Sequence, residues 1–315
     1  MTIKPFGQRR SGRALLCNAL LLAGATVAAP SARGQAIEPR AYSNAPVGVN
    51  FLILSPVYAS GGLSIDPALP LRKPDLETSS VALAFARFIE LWGQAGKFDV
   101  IVPYSWLEGS ATLYDEAVTR KVHGFADPAF RLSVNFYGAP ALTAKEFSSY
   151  RQDLIVGASL MVMAPLGQYD DARLVNLGSN RWSIRPGLGV SKALGRWTVE
   201  GSAAVTLYTD NDDFVGDRTR SQDPLYSLQW NTICSFAGGR WASLDVNYYT
   251  GGSSTLDGVA KRDLQRNWRA GLTVALPVDR RNSIKLYASR GVSARTGNNF
   301  DLAGIAWQYR WGGGL

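Results

Sequence analysis

Few residues in this chain have the type and spacing that catalysis requires. His123 is the only histidine among 315 residues, and no serine or cysteine is placed with it as a nucleophile is placed with its base. The sequence also contains no phosphate-binding glycine loop, no zinc-ligand spacing and no cysteine–histidine pair. We therefore predict that the protein is not an enzyme and uses no cofactor, and that His123 is an exposed loop residue.

Acidic residues gather in stretches that are otherwise polar and rich in glycine. Closely spaced oxygen ligands can hold Ca²⁺, but the spacing here is not that of an EF-hand loop. A simpler interpretation is that these acids are solvated or bonded to arginines of neighbouring loops. We therefore predict no metal site. The acids concerned are Asp170, Asp171, Asp210, Asp212, Asp213, Asp217, Asp257 and Asp263, and the candidate arginines are Arg173, Arg181, Arg218 and Arg220.

The formal net charge of +8 is concentrated at the N-terminus. The first 34 residues hold several basic residues and no acidic one, so the rest of the chain is close to balanced. No stripe of basic residues interleaved with aromatics follows, which argues against a nucleic-acid partner. The basic residues of the leader are Lys4, Arg9, Arg10, Arg13 and Arg33.

This leader has the organisation of a secretory signal peptide. Its basic start precedes an apolar stretch at 14–29, and the small residues Ala32 and Gly34 then precede Gln35. The alternative, an N-terminal anchor helix, is less favoured because the apolar run is shorter than the roughly 20 residues that span a bilayer. We predict a signal peptide over 1–34 and a mature domain over 35–315.

The mature sequence consists of segments in which apolar and polar residues alternate. In the clearest one, Trp268 and Leu272 alternate with Arg269 and Thr273, and this period of two indicates a strand with two different faces. No convincing amphipathic helix interrupts the series. The predicted strands lie near 46–58, 78–91, 97–107, 128–138, 153–165, 182–193, 196–208, 225–237, 240–250, 266–277, 283–293 and 301–311.

Loop length separates two possible β folds. A soluble sandwich turns its apolar face to a core, whereas a membrane barrel turns it to lipid and encloses polar residues. The connections alternate between short turns, such as 194–195 and 238–239, and long polar loops, such as 108–127, 166–181, 209–224 and 251–265. This alternation favours an all-β fold: a single transmembrane outer-membrane β-barrel of about 12 antiparallel strands, with short periplasmic turns and long extracellular loops.

Tryptophans near the ends of the predicted strands support the membrane interpretation. Their rings combine an apolar body with a polar N–H, and such side chains gather at the two bilayer interfaces. A soluble core would favour aromatics at strand centres. The predicted interface aromatics are Trp182, Trp197, Trp241, Trp268 and Trp311.

The same alternation assigns polar strand residues to the barrel lumen. An Arg or Lys facing lipid at mid-bilayer costs about 2–4 kcal/mol, so strand charges should point inward. The lumen could conduct polar solutes, or it could be filled by internal bridges, such as Glu200 or Asp245 with Arg185 or Arg269. We favour bridges for any single residue. The predicted lumen-facing residues are Arg131, Asn135, Arg185, Glu200, Gln229, Asn231, Asp245, Asn247, Arg269, Lys285, Gln308 and Arg310, and Asp99 shares their face.

Some residues depart from the pattern. Arg290 falls on the lipid face, near an extracellular strand end where it could meet lipid phosphate. Pro103 and Pro186 lie inside predicted strands and are candidate kinks.

Outer-membrane barrels usually end on an aromatic residue that the assembly machinery recognises, whereas here a Gly-Gly-Gly-Leu tail follows Trp311. Either Trp311 is that signal, or the tail tucks inward.

Several longer stretches resemble one family. They include IEPRAYSNAPVGVNFL at 37–52, APLGQYDDARLVNLGSNRW at 164–182, SLDVNYYTGG at 243–252 and AWQYRWGGGL at 306–315. Together they resemble the outer-membrane transporters grouped under the MetA pathway of phenol degradation, over most of the mature chain. The resemblance implies an outer-membrane barrel that takes up small hydrophobic or aromatic molecules.

We therefore expect an outer-membrane channel for passive uptake of small hydrophobic or aromatic compounds. Residues 35–45 are too short for the plug domain of an energy-coupled transporter. The alternatives are a structural or adhesive surface barrel with a closed lumen and a general polar porin. The expected partners are outer-membrane lipid, the small-molecule substrates and, during biogenesis, the barrel-assembly machinery.

Protein recovered from the outer membrane should begin at Gln35, because export removes the leader after Gly34. Intact-mass measurement of the purified protein checks this expectation. A mass that includes residues 1–34 would show instead that the leader is kept as an anchor.

Overall fold

The computed structural model describes residues 38–61, 71–113, 115–295 and 299–314. The signal peptide expected over 1–34 lies outside these residues. In the described part, no helix is long and apolar enough to cross a membrane.

The described residues form mostly strands. One short α-helix, α1 (Ala144–Phe147), lies between the fifth and sixth strands, and a 3₁₀ turn at Ala237–Gly239 lies before the twelfth strand. The strands are β1 (Val49–Gly61), β2 (Leu71–Leu91), β3 (Gln94–Leu113), β4 (Glu116–Phe125), β5 (Ala129–Tyr137), β6 (Leu154–Met163), β7 (Ser183–Leu194), β8 (Trp197–Tyr208), β9 (Asn211–Phe214), β10 (Arg218–Gln222), β11 (Leu225–Ser235), β12 (Trp241–Gly251), β13 (Ser254–Leu256), β14 (Val259–Ala260), β15 (Gln265–Pro277), β16 (Asn282–Ala294) and β17 (Phe300–Gly312).

Twelve of these strands close into a barrel. Its order is β1–β17–β16–β15–β12–β11–β8–β7–β6–β5–β3–β2, and β2 pairs back to β1, each neighbour antiparallel. Closure leaves no open strand edge in the wall, so backbone N–H and C=O groups pair within the protein where lipid offers no partner. The predicted twelve-stranded antiparallel barrel is confirmed. Its closing pair is the last strand against the first, with Ile53 opposite Gln308.

The two faces of the wall differ as the period of two requires. Large apolar side chains such as Leu188 and Leu272 are exposed on the outer face, whereas Asp245 and Lys285 are fully buried on the inner face. The outer face is therefore the lipid-facing belt of a barrel in the bacterial outer membrane.

The aromatic residues at the wall ends divide into two groups. Trp182, Trp197 and Trp268 are exposed on the outer face, and Trp311 stacks on Tyr309 at 5.7 Å between ring centroids. The expectation for Trp241 was wrong, because its side chain is only 1% exposed. Trp241 shares the parity of Asp245 on β12 and so points into the lumen.

The hairpin of β3 and β4 extends beyond the membrane. Residues 108–127, expected as a loop, contain the end of β3 and the returning strand β4. On the outer side of this hairpin, Lys121 and Glu108 pair at 2.9 Å. The sequence does not show the apolar–polar alternation of a membrane strand there, because the outward side chains lie beyond the lipid and are polar. The loops expected over 209–224 and 251–265 likewise contain β9, β10, β13 and β14, which form a small separate sheet.

Both candidate kink prolines lie where one hydrogen-bond ladder is interrupted. β3 pairs with β5 up to Ile101 and with β4 from Tyr104 onward, so Pro103 stands at the change of partner. Beside Pro186, the register of β7 with β8 skips two positions after Ile184. Proline lacks the N–H that a continuous ladder needs on both sides.

Arg290 lies on the outer face as predicted, and its partner belongs to the protein. Its guanidinium forms two parallel hydrogen bonds to Asp301 on β17, at 2.9 and 2.6 Å. This pair keeps both charges neutralised at the lipid interface.

The periplasmic end is held by short capped elements. Thr143 and Glu146 form a capping box at the start of α1. In the turn between β15 and β16, hydrogen bonds from the backbone amides of Arg281 and Asn282 lower the pKa of Asp279. The tail residues Gly312–Gly314 all have positive φ and turn beside Gly48 and Val49, which glycine permits and larger residues resist.

Leu272→Arg should destabilise the folded barrel by about 2–4 kcal/mol, because the charge would face the hydrocarbon core. Leu272→Ala provides the reference for lost apolar surface. Ser293→Arg adds the same charge near the extracellular end of the same face and should cost about 0–1 kcal/mol. Urea unfolding in lipid vesicles measures all three. Equal destabilisation by both arginines would contradict the assigned lipid face.

Candidate functional site: the barrel lumen

The predicted lumen residues all lie on the inner face of the wall. Because alternate residues of a strand point to opposite faces, each shares the parity of its buried neighbours. The fully buried members are Arg131, Asn135, Glu200, Asn231, Asp245, Asn247, Arg269, Lys285 and Gln308, and the half-buried members are Arg185, Gln229 and Arg310.

One charge network joins β3 to β5. Asp99 is fully buried and accepts a hydrogen bond of 2.8 Å from Nε of Arg131, while Nζ of Lys97 lies 3.6 Å from its other oxygen. Arg131 also pairs with Glu38, which belongs to the N-terminal segment. Buried charges of this kind are tolerated when each has a partner, and removal of one partner is strongly destabilising.

The predicted bridges of Asp245 or Glu200 with Arg185 or Arg269 do not form. Asp245 accepts hydrogen bonds from Ser243 and Thr273 at 3.0 and 3.1 Å. Arg269 turns away from it across β16, donates to the Phe300 carbonyl at 3.0 Å and lies 3.7 Å from the Phe300 ring centroid. Its contact with Phe300 on β17 directs the Arg269 side chain away from Asp245, which lies on β12.

Glu200 also has partners other than those expected. It accepts a hydrogen bond of 2.9 Å from the Ser191 hydroxyl and one of 2.7 Å from the backbone N–H of Arg40. Arg185 lies six residues before Ser191 on β7, toward the extracellular end, and donates to Ser227 at 3.3 Å. The register of β7 with β8 therefore keeps Arg185 away from Glu200.

The N-terminal segment, residues 38–48, enters the lumen from the periplasmic end. Arg40 donates to the Ser235 hydroxyl at 2.8 Å, and the Tyr42 carbonyl accepts from Asn135 at 3.1 Å. Nearer the periplasm, the Asn44 amide donates to the Pro140 carbonyl at 3.1 Å. Sequence reasoning recognised that this segment is too short for a domain, but it did not predict that the segment fills the lumen.

Two glycines form the seat of the Tyr42 ring. A Cβ at Gly157 would lie 2.7 Å from Cδ1 of Tyr42, and a Cβ at Gly189 would overlap Cε2. Both glycines point inward on neighbouring strands, β6 and β7. Their missing side chains make the space that the ring occupies, and these glycines were the signal in the sequence that could have indicated it.

Trp241 on β12 contacts the same N-terminal segment. The Arg40 guanidinium lies 5.2 Å and the Lys285 ammonium 5.7 Å from its ring centroid. A ring face attracts cations, so one indole stabilises a cation of the wall and a cation of the N-terminal segment. Trp241 therefore helps to hold the segment in the lumen.

One cavity beside the segment is small. A cavity of about 50 Å³ lies between Tyr42, Arg131, Arg185 and Gln229. A water molecule requires roughly 10–15 Å³ of such space, so this cavity admits a few waters and no larger solute.

The extracellular mouth is closed by a different kind of contact. The loop 164–182 places Val175 and Leu177 against Leu107 and Phe300 in an apolar cluster. The loop is anchored by Asp127, which accepts hydrogen bonds from the backbone N–H groups of Gly167 at 3.0 Å and Ser179 at 2.8 Å. We call this closure the mouth cluster, defined by Leu76, Leu107, Val175, Leu177 and Phe300.

The residues considered for chemistry do not converge on a site. His123 lies on β4 and not in a loop, exposed, with Nδ1 2.9 Å from the Tyr104 hydroxyl. Several loop acids bond to backbone amides, for example Asp257 to Thr219 N–H at 2.9 Å. Across the described residues, no group of three or more His, Cys, Asp or Glu side chains is arranged to hold a metal ion.

Comparisons with known proteins agree with this architecture. A family model described as "Putative MetA-pathway of phenol degradation" matches residues 56–309. Among solved structures, the chain is similar to an outer membrane channel from Pseudomonas putida F1, with 18% identity, a TM-score of 0.73 and coverage of 88% of this chain and 100% of that one. It is also similar to the transport unit of the autotransporter AIDA-I from Escherichia coli, with 8% identity, a TM-score of 0.50 and coverage of 83% and 90%. No curated protein matches it.

Gly189→Ala should raise the ion conductance of the barrel, because the added methyl overlaps the Tyr42 ring and displaces the N-terminal segment. Tyr42→Ala should act in the same direction. Gly201→Ala is the matched control, since its Cβ would meet only the Trp230 ring at 3.8 Å, an ordinary contact. Planar-bilayer recording measures the change. Unaltered conductance in both test variants would show that the segment does not obstruct the lumen.

Proposed function

We propose, from the premise that this chain belongs to the MetA-pathway phenol-degradation family, that it is an outer-membrane channel through which small hydrophobic or aromatic molecules enter by passive diffusion. The family description refers to phenol breakdown, and the similar protein of Pseudomonas putida F1 is described as a channel. No catalytic step, cofactor or nucleic acid enters this proposal.

The observation that carries the proposal is the double closure of the lumen. Apolar residues of the mouth cluster close the extracellular end, and the N-terminal segment leaves a cavity of about 50 Å³ below it. A polar solute would have to lose its hydration shell to pass Leu177 and Phe300, whereas an apolar solute gains from contact with them. The entrance therefore favours apolar cargo.

The double closure also separates this proposal from the two alternatives. A general polar porin needs a continuous water-filled lumen, which the wide barrels of porins provide. A structural barrel needs only internal bridges, and the network of Asp99, Arg131 and Glu38 is compatible with that role. Apart from the Glu38–Arg131 ion pair, the segment is held by hydrogen bonds and ring contacts, which suits a closure that moves.

Biogenesis follows from the same proposal. Removal of residues 1–34 would free the segment that enters the lumen. The barrel-assembly machinery would recognise the last strand through Trp311, since the tail beyond it turns back beside Gly48. Lipid of the outer membrane then surrounds the apolar belt.

Cells that lack this protein should take up toluene or phenol several-fold more slowly at low external concentration than cells that contain it. Uptake of a small polar sugar should not change, because the mouth cluster excludes hydrated solutes. Reintroduction of the intact gene should restore aromatic uptake.

Two results would contradict the proposal and favour one of the alternatives. Equal aromatic uptake with and without the protein would favour the structural or adhesive barrel. Large, steady ion conductance of the unmodified protein in planar bilayers would favour the general porin.

A further inference from the structure

A pocket of about 300 Å³ lies above the membrane, beside the mouth cluster. It is formed where the projecting hairpin of β3 and β4 meets the loop 164–182. A cavity of roughly 150 Å³ is enough to bind benzene, so this pocket has room for one substituted ring. Its apolar walls are supplied by Leu76, Ala111, Val118, Leu174 and Val175.

Two arginines line the same pocket. Nε of Arg120 donates a hydrogen bond of 3.2 Å to the Val175 carbonyl, which fixes the guanidinium of a strand residue against the loop. Arg173 is 61% exposed and lies 3.7 Å from Asp170, a distance at which a solvated pair contributes little. Each guanidinium has several donors in one plane, and such forks match the two oxygens of a carboxylate.

We propose that this pocket binds a small aromatic carboxylate, with the ring against the apolar walls and the carboxylate on Arg120 and Arg173. The proposal rests on the proposed function and narrows its substrate class. A neutral ring would contact the walls but would offer no negative charge to the two guanidinium groups. A long-chain amphiphile would exceed the volume.

The pocket adjoins the mouth cluster. Leu76 and Val175 line it and also belong to the mouth cluster. In that cluster, the Phe300 ring lies under the guanidinium of Arg269 at 3.7 Å. A carboxylate that leaves the pocket inward therefore meets another cation directly behind the apolar closure.

Binding can be measured by isothermal titration calorimetry of the purified full-length mature protein in detergent micelles. The probe is benzoate, and benzamide is the neutral ligand of nearly the same shape. We expect benzoate to bind and benzamide to bind more weakly. Arg173→Gln should weaken benzoate binding by about tenfold, the usual scale for loss of one charge-assisted contact. The double change Arg120→Gln, Arg173→Gln should abolish measurable binding.

Lys121→Gln is the matched control. Lys121 is the neighbour of Arg120 on β4, but it pairs with Glu108 on the opposite face of the hairpin. Its replacement removes one positive charge without altering the pocket, and benzoate affinity should not change. Arg173→Gln leaves the Arg120–Val175 hydrogen bond intact, so its effect does not depend on refolding of the loop.

Equal binding of benzoate and benzamide, or unchanged affinity in Arg173→Gln and the double variant, would overturn the proposal, as would absence of benzoate binding. Toluene uptake by cells does not involve either arginine, so it tests the channel separately. If benzoate binds as expected while toluene uptake is independent of the protein, the pocket stands and the proposed function fails. If toluene uptake depends on the protein but benzoate does not bind, only the proposed carboxylate pocket fails.

Discussion

The structure depends on one constraint: inside a bilayer, every backbone polar group must find its partner within the protein. Closure of twelve strands meets this constraint and leaves no open edge in the wall. It also fixes where side chains go, since alternate residues must face lipid and lumen. Charges on membrane-spanning strands have only the inner face available, apart from pairs near the interface such as Arg290 with Asp301. The lumen is polar for this reason before any substrate is considered.

The strand number then determines how the lumen is filled. Barrels of about eight strands are filled by their own side chains, and those of 16–18 leave an aqueous channel. Twelve strands lie between these cases, so wall side chains alone leave space, and here residues 38–48 occupy it. Gly157 and Gly189 provide room for Tyr42, and Trp241 with Glu200 holds Arg40. The segment and the mouth cluster together make a closed barrel in which passage requires movement.

The sequence predicted the repeated features and failed at unique ones. A period of two identifies β15 or β17 because lipid imposes the same rule on every crossing, and the lumen residues follow from that parity. Outside the lipid, strands need not alternate apolar and polar residues. The end of β3, strand β4 and the small sheet were therefore expected as loops. Trp241 was assigned to the membrane interface because it lies at a strand end, although its parity with Asp245 places it on the inner face. The partners of Arg269 and Glu200 depend on register across several strands, which no local pattern specifies. The entry of residues 38–48 into the lumen is likewise a long-range contact.

The central claim is that the N-terminal segment is the movable closure of this channel. It is tested most directly by tethering the segment in place. Arg40 and Ser235 are joined by a side-chain hydrogen bond of 2.8 Å, so cysteines at these positions, with Cys234 replaced by serine, can be linked by a bis-methanethiosulfonate, which forms a reducible disulfide with each cysteine and releases a sulfinate each time. The account predicts that linked protein stops aromatic uptake into cells and that reduction restores it. Uptake that continues at the same rate while the link is intact would contradict the account.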